Sequence, residues 1–261
     1  TPVRKLLLKI WRIWFYLLAG ITFLVVSPLM AASLLFPNGY RYVFWLGKNI
    51  WARFTLFGMG FWVKTDFKTQ LDPNQNYMFV ANHSSFIDIM LMIWASKHPF
   101  VFVGKKELVK IPIFGSLYKR TAIMVDRKSS KSRYEVYKRA QEVLDKGYSV
   151  CIFPEKEYTD ETVLLNSFKT GAFRIAIAHQ LPICPMVFLD CKRKYPWSTS
   201  YGHPGLLRVL VFPPTTTAGL KSEDALALLQ KTYDTIHTEL LNDKKQAAVN
   251  AIKVWKRYNL N

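Results

Sequence analysis

The chain has 261 residues, with 36 Lys and Arg against 18 Asp and Glu for a formal charge of +18, and it is 50% hydrophobic and 15% aromatic. Such a length builds one good-sized core, or one domain with an appendage. So much base calls for an anionic partner, and with no zinc-finger spacing and no RNA-binding aromatic signature, nucleic acid is set aside in favour of a membrane surface of anionic lipids.

In chain order, Arg4, Lys5, Lys9 and Arg12 precede an uncharged run from Ile13 to Tyr40. That run exceeds the ~20 residues a bilayer-spanning helix needs. Three readings compete. A signal peptide finds small residues at Met30-Ala-Ala-Ser33, but the run is long for one. A single span meets Arg41, Lys48, Arg53 and Lys64 on its far side, so both flanks are basic and no orientation follows. The third reading is preferred. Ser27-Pro28 breaks a first helix, Pro37-Asn38-Gly39 turns the chain, and a second helix runs from about Tyr42 to Met59. This is a two-helix hairpin embedded in one leaflet, with both ends in the cytosol. The division that follows is residues 1–60 as membrane-anchoring helices and 61–261 as a second domain.

From Phe61 short apolar runs alternate with helical patterns. Expected strands are Phe61–Phe67, Tyr77–Ala81, Phe100–Val103, Ala122–Val125, Ser149–Phe153, Ile183–Leu189 and Leu206–Phe212. Expected helices are Phe86–Ser96, Ser129–Lys146, Phe168–His179 and Ser222–Leu241, with a basic amphipathic stretch at Lys244 to Arg257. Strands alternating with helices mean an α/β fold. Cys151, Cys184 and Cys191 are odd in number and lack metal-ligand spacing, so they read as reduced core thiols, and no metal site is indicated.

Four clusters carry chemistry. In Met78-Phe-Val-Ala-Asn-His83-Ser-Ser-Phe-Ile-Asp88 a strand gives way to a helix, with Ser84 or Ser85 as cap and Asp88 in the first turn. His83 then stands at a strand's carboxyl end, where ligands bind in open α/β sheets, with a carboxylate folding back towards it. A His held by an Asp can take a proton from a hydroxyl. The second cluster runs from Gly104-Lys105-Lys106-Glu107 to Pro112-Ile-Phe-Gly115. It reads as a tight turn whose amides and ammonium groups hold a phosphate, or as a solvated basic turn. Val125-Asp126-Arg127 follows, with Arg127 either an anion clamp or the ion-pair partner of Asp126. The third is Phe153-Pro154-Glu155, whose carboxylate accepts from substrate hydroxyls or braces the loops. Beyond it lie Lys169, a further positive charge, and Gly171, a place for close backbone approach. The fourth, Leu181-Pro182-Ile183-Cys184-Pro185, reads as structural.

In order and spacing these clusters resemble the four motifs of the glycerolipid acyltransferases, over roughly residues 61 to 215, and most of all the bacterial PlsC-like 1-acyl-glycerol-3-phosphate acyltransferases. The resemblance implies a mixed sheet flanked by helices, behind a membrane-embedded two-helix motif. It implies His83 as general base and Asp88 as its orienting partner. Lys105, Lys106, Arg127, Glu155, Lys156, Lys169 and Gly171 are the implied substrate-binding residues. The implied reaction moves a fatty acyl group from acyl-CoA or acyl carrier protein to the hydroxyl of a lysolipid, with no further cofactor. The implied place is the cytosolic face of a bacterial inner membrane. One departure stands out. The family's third motif reads Phe-Pro-Glu-Gly-Thr-Arg-Ser, its Arg taken to bind the acceptor's phosphate, whereas here Lys156 replaces the Gly and Tyr158 the Arg. Lys lacks the planar fork of Arg. Lysophosphatidic acid is therefore the first acceptor and a phosphate-free or amino-acid-based lysolipid the second. A non-catalytic basic membrane-surface protein and a thioester hydrolase complete the alternatives.

Overall fold

The computed structural model of the chain describes residues 2–126, 130–155 and 160–259. Helix α1 spans Pro2–Ser33 without a break. The expected interruption at Ser27-Pro28 is absent, and the local chemistry explains why. Proline cannot donate to the carbonyl four residues back, but the Ser27 hydroxyl donates to that same carbonyl, Leu24 O, at 3.2 Å. After a turn the chain is helical again through α2 (Tyr40–Leu46), a π-helical stretch (Gly47–Ala52) and α3 (Arg53–Gly58). This segment lies along α1, and three indole N–H groups join the two. Trp11 donates to Met59 O at 3.3 Å, Trp14 to Gly58 O at 3.0 Å and Trp51 to Ala19 O at 3.0 Å.

Among the described residues, seven strands form one sheet in the order β1-β7-β6-β2-β5-β3-β4. They are β1 (Phe61–Phe67), β2 (Met78–Ala81), β3 (Phe100–Lys105), β4 (Ile123–Val125), β5 (Ser149–Ile152), β6 (Ile183–Phe188) and β7 (Gly205–Val211). Strands β2 to β6 are mutually parallel, while β7 is antiparallel to β6 and parallel to β1. The sheet is therefore mixed, as expected. Central β2 and β6 are buried at every residue, whereas edge strand β1 alternates, which suits apolar runs and an alternating run respectively. Successive residues of each strand serve opposite faces. Phe79, Ala81 and Cys151 pack beneath α3 and α4 (Asp88–Ala95), while Met78, Val80 and Val150 pack against α6 (Ser130–Asp145), α7 (Gly171–Ala178) and α9 (Ala225–Leu241). All three cysteines are buried free thiols.

Among the described residues, two helices arise that the sequence pattern does not announce. The Pro112–Gly115 region is not a simple turn but the entry to α5 (Phe114–Thr121), reached through a 3-10 turn at Lys106–Lys110 and positive φ at Ile113. Gly115 is required there, because a Cβ would lie 1.9 Å from Val109 O. The second is the short α8 (Cys191–Lys194). Helix α7 starts later than its apolar pattern because Phe168 bridges to Glu155 and the Lys169 amide donates to Pro154 O at 2.8 Å. The basic C-terminal stretch forms α10 (Ala247–Asn259).

Candidate active site

The carboxyl ends of β2, β3 and β5 are neighbours in the sheet, so three separate sequence clusters converge there. Strand β2 delivers His83, β3 delivers Lys105, and β5 delivers Phe153 and Glu155. His83 is 8% exposed and Asp88 fully buried. Nδ1 of His83 lies 3.0 Å from Asp88 Oδ2. The same oxygen accepts the amides of Ser84 at 2.6 Å and Ser85 at 2.8 Å. An ionised carboxylate offers only acceptors, so Nδ1 carries the proton and Nε2 presents its lone pair. The expected cap works differently from the sequence reading. Neither serine side chain caps α4; Ser85 Oγ accepts from Ile87 N at 3.2 Å and donates to Tyr195 O.

Glu155 is 7% exposed, and its two oxygens are engaged by main chain. Oε1 accepts the amide of His83 at 2.5 Å and Oε2 that of Asn166 at 3.0 Å. Both oxygens thus brace the loops that follow β2 and β5. Burial pushes its carboxyl above the ordinary range, against the pull of those two amides and of Lys192. Lys192, on α8, donates to Val163 O. Burial lowers its pKa, while Glu155, Glu161 and Asp160 favour its charge.

Beside His83 opens a cavity of about 280 Å³. Its walls are apolar: Phe23, Met30 and Trp51 from the N-terminal helices, Ile89 and Ile93 of α4, Phe100 and Phe102 of β3, and Leu117 and Tyr118 of α5. Phe153 stacks on the His83 ring at 4.3 Å between centroids, and Trp197 meets it edge-on at 5.2 Å. His83, Lys105 and Glu155 line the polar end. Gly104 lies alongside, where a Cβ would stand 2.1 Å from Tyr118 Oη.

The structure thus brings together His83, Asp88, Glu155 and Lys105. Lys106 is exposed, and the amides of Phe114 and Gly115 donate internally to Pro112 O and Ile111 O. Lys169 is half-buried and does not line the cavity. Gly171 opens α7 on the surface, where a Cβ would meet nothing within 4 Å. Arg127 and Lys156 lie outside the described residues, as does Tyr158. Sequence reasoning missed Trp197, far from any motif, and Asn82, whose position next to His83 was the available signal. The Asn82 side chain donates to Phe188 O at 3.0 Å and accepts from Phe188 N at 2.8 Å.

The acyltransferase family model matches residues 63–189. The chain is 31% identical over 180 residues to the 1-acyl-sn-glycerol-3-phosphate acyltransferase of Escherichia coli, covering 68% of this chain and 71% of that one. It is 32% identical to the enzyme of that name from Cocos nucifera over 152 residues, 58% of this chain and 49% of the relative. It is also 32% identical to the alpha form from Ovis aries over 161 residues, 61% and 56%. The chain thus spans about half the length of these last two relatives. The crystal structure of the 1-acyl-sn-glycerophosphate (LPA) acyltransferase PlsC from Thermotoga maritima shares the fold, with a TM-score of 0.74 at 21% identity over 92% of this chain and 95% of that one.

Proposed function

This chain belongs to the PlsC-like 1-acyl-sn-glycerol-3-phosphate acyltransferase family, and from that premise we propose that it acylates the free hydroxyl of a lysolipid from a thioester donor. The observation that carries the reading is His83, tied through Nδ1 to buried Asp88 at the mouth of an apolar cavity. His83 Nε2 takes the hydroxyl proton as the oxygen attacks the thioester carbonyl. The C–S bond then breaks, and the imidazolium returns the proton to the departing sulfur, restoring neutral His83. No acyl-enzyme forms. The donor is acyl-CoA or acyl carrier protein, its acyl chain lying among Phe102, Ile93 and Trp51. Lys105, which lines the same cavity as His83, supports a phosphate-bearing acceptor, and 1-acyl-glycerol-3-phosphate is the first choice. Tyr158, where the family carries Arg, favours a phosphate-free lysolipid as the second.

The reaction takes place at a membrane, on its cytosolic face. Helix α1 is long and apolar enough to cross one. Its exposed face carries Leu6, Leu7, Ile10, Ile13, Leu17, Ile21, Leu24 and Leu29, and Phe54 and Phe57 of α3 are exposed as well. Together they suit insertion into one leaflet beside anionic lipids.

The test is transfer by the detergent-purified chain from a labelled thioester to lysophosphatidic acid, to a phosphate-free lysolipid and to no acceptor. Product with lysophosphatidic acid that disappears in His83→Ala is the expected result. Product with the phosphate-free acceptor alone moves the assignment to the second reading. Acyl release independent of acceptor makes the protein a hydrolase, and no product with either donor type makes it non-catalytic.

A further inference from the structure

Arg12 stands in the sequence among the bases that precede the apolar run, and in the fold it is only 5% exposed. Its guanidinium ties α1 to the loop after α8. Nη1 donates to Pro196 O at 2.8 Å, and Nη2 to Ser198 O at 2.6 Å and Tyr201 O at 3.2 Å. The group also lies over the Tyr195 ring, 4.3 Å from its centroid. One planar fork therefore gathers three carbonyls of one loop, a geometry lysine does not reproduce.

That loop meets His83 directly and reaches Asp88 through Ser85. Trp197 meets the His83 ring edge-on and packs against Phe86 at 4.4 Å. At the loop's start, Trp11 and Phe15 of α1 pack on Tyr195 at 5.2 and 4.9 Å. Tyr195 O in turn accepts from Ser85 Oγ, and the Ser85 amide donates to Asp88 Oδ2. Glu161 Oε1 holds the same loop by accepting the Ser198 amide at 2.8 Å.

We propose that Arg12 is a positioning residue for the dyad. It couples the seating of α1 to the ring plane of His83 through Trp197, and to Asp88 through Tyr195 and Ser85. The kinetic arm of this inference rests on the acyltransferase reading; the spectroscopic arm does not.

The experiment compares the full chain in lipid nanodiscs with Arg12→Lys, Arg12→Met, Trp197→Leu and the Arg12→Met/Trp197→Leu double variant. Arg12→Met is expected to lose roughly tenfold or more in kcat, because small misplacements of a catalytic group are costly. The KM for the thioester should change by no more than about twofold. Arg12→Lys, which keeps a charge and guards against loss of the fold, should recover part of the rate. The double variant should be no slower than the slower single variant, since Trp197 lies downstream of Arg12 in the same loop. Losses that multiply in the double variant, or full kcat in Arg12→Lys, overturn the proposal. NMR of the ¹³C-labelled His83 ring should show displaced signals in Arg12→Lys. Unmoved signals overturn the proposal whatever the turnover. Displaced signals in a chain whose wild type transfers no acyl group support it and sink only the acyltransferase reading.

Discussion

The main-chain amide of His83 donates to Glu155 Oε1 at 2.5 Å, which fastens the candidate base to the neighbouring strand by its backbone. Glu155→Gln puts an N–H where an acceptor stood, so either the His83 or the Asn166 amide loses its partner. Leaving a buried donor unsatisfied should cost about 1–3 kcal/mol, read by thermal or denaturant unfolding. A second effect runs with pH. Because burial raises the Glu155 pKa above its ordinary value of 4.5, its contribution to stability is complete below 4.5 and is lost as pH rises through the folded value. Wild type should lose stability relative to Glu155→Gln as pH climbs from 4.5, and parallel curves would contradict this.

Asp88→Asn tests the tautomer. An amide placed at 3.0 Å from Nδ1 can donate to it, which moves the ring proton to Nε2 and removes the lone pair from the reacting side. The expected loss in kcat is about 10²–10⁴-fold with KM little changed. A variant with normal kcat would show that the dyad does not supply the base.

Gly104→Ala tests the acyl cavity. Its new Cβ would meet Tyr118 Oη at 2.1 Å, so the tyrosine must move, and Tyr118 is part of the cavity wall. The kcat/KM profile across a series of acyl thioesters should shift towards shorter chains. An unchanged profile would place the acyl chain elsewhere.

Arg208 of β7 bonds Asp190 through Nε and Nη2, and Asp243 through both Nη1 and Nη2, at 2.6 to 2.9 Å. Burial works against the charge on Asp243, but Arg208 and the amides of Ala247 and Lys245 more than offset it and hold its pKa below 3.8. That contribution is present above pH 3.8 and is lost as pH falls through the depressed value. Arg208→Met strands two carboxylates and should destabilise the fold by roughly 3–5 kcal/mol at neutral pH. Chemical unfolding at pH 7 and near pH 3 checks it, the deficit being smaller in acid.

Much of this was legible in the chain because the signals were local. The seven strands coincide with short runs rich in apolar residues, and all seven lie within two residues of their expected bounds. His83 and Asp88 were legible because strand, turn and helix fix their relation within a few residues. Non-local partners were not. Glu155 reads equally as ligand or brace until the fold sets β5 beside β2, and nothing around Trp197 in sequence says that it reaches His83. Arg12 misled for the opposite reason: it stands in a basic cluster, and only the fold supplies the carbonyls that bury it. Helix α5 was hidden because Pro112 and Gly115 are turn residues in most settings, and only contact with Val109 O reveals what the glycine is for.

Asn82 gives Phe188 both of the bonds that a neighbouring strand's main chain would have given it. The main chain is thereby released to leave the sheet at His83 without opening a gap in β6. The amide proton of Phe188 thus becomes a sentinel: it should exchange with solvent only when the central sheet itself opens. The base stands on a stationary post, and any motion at the cavity belongs to the helices that line it, whose own amides should exchange sooner.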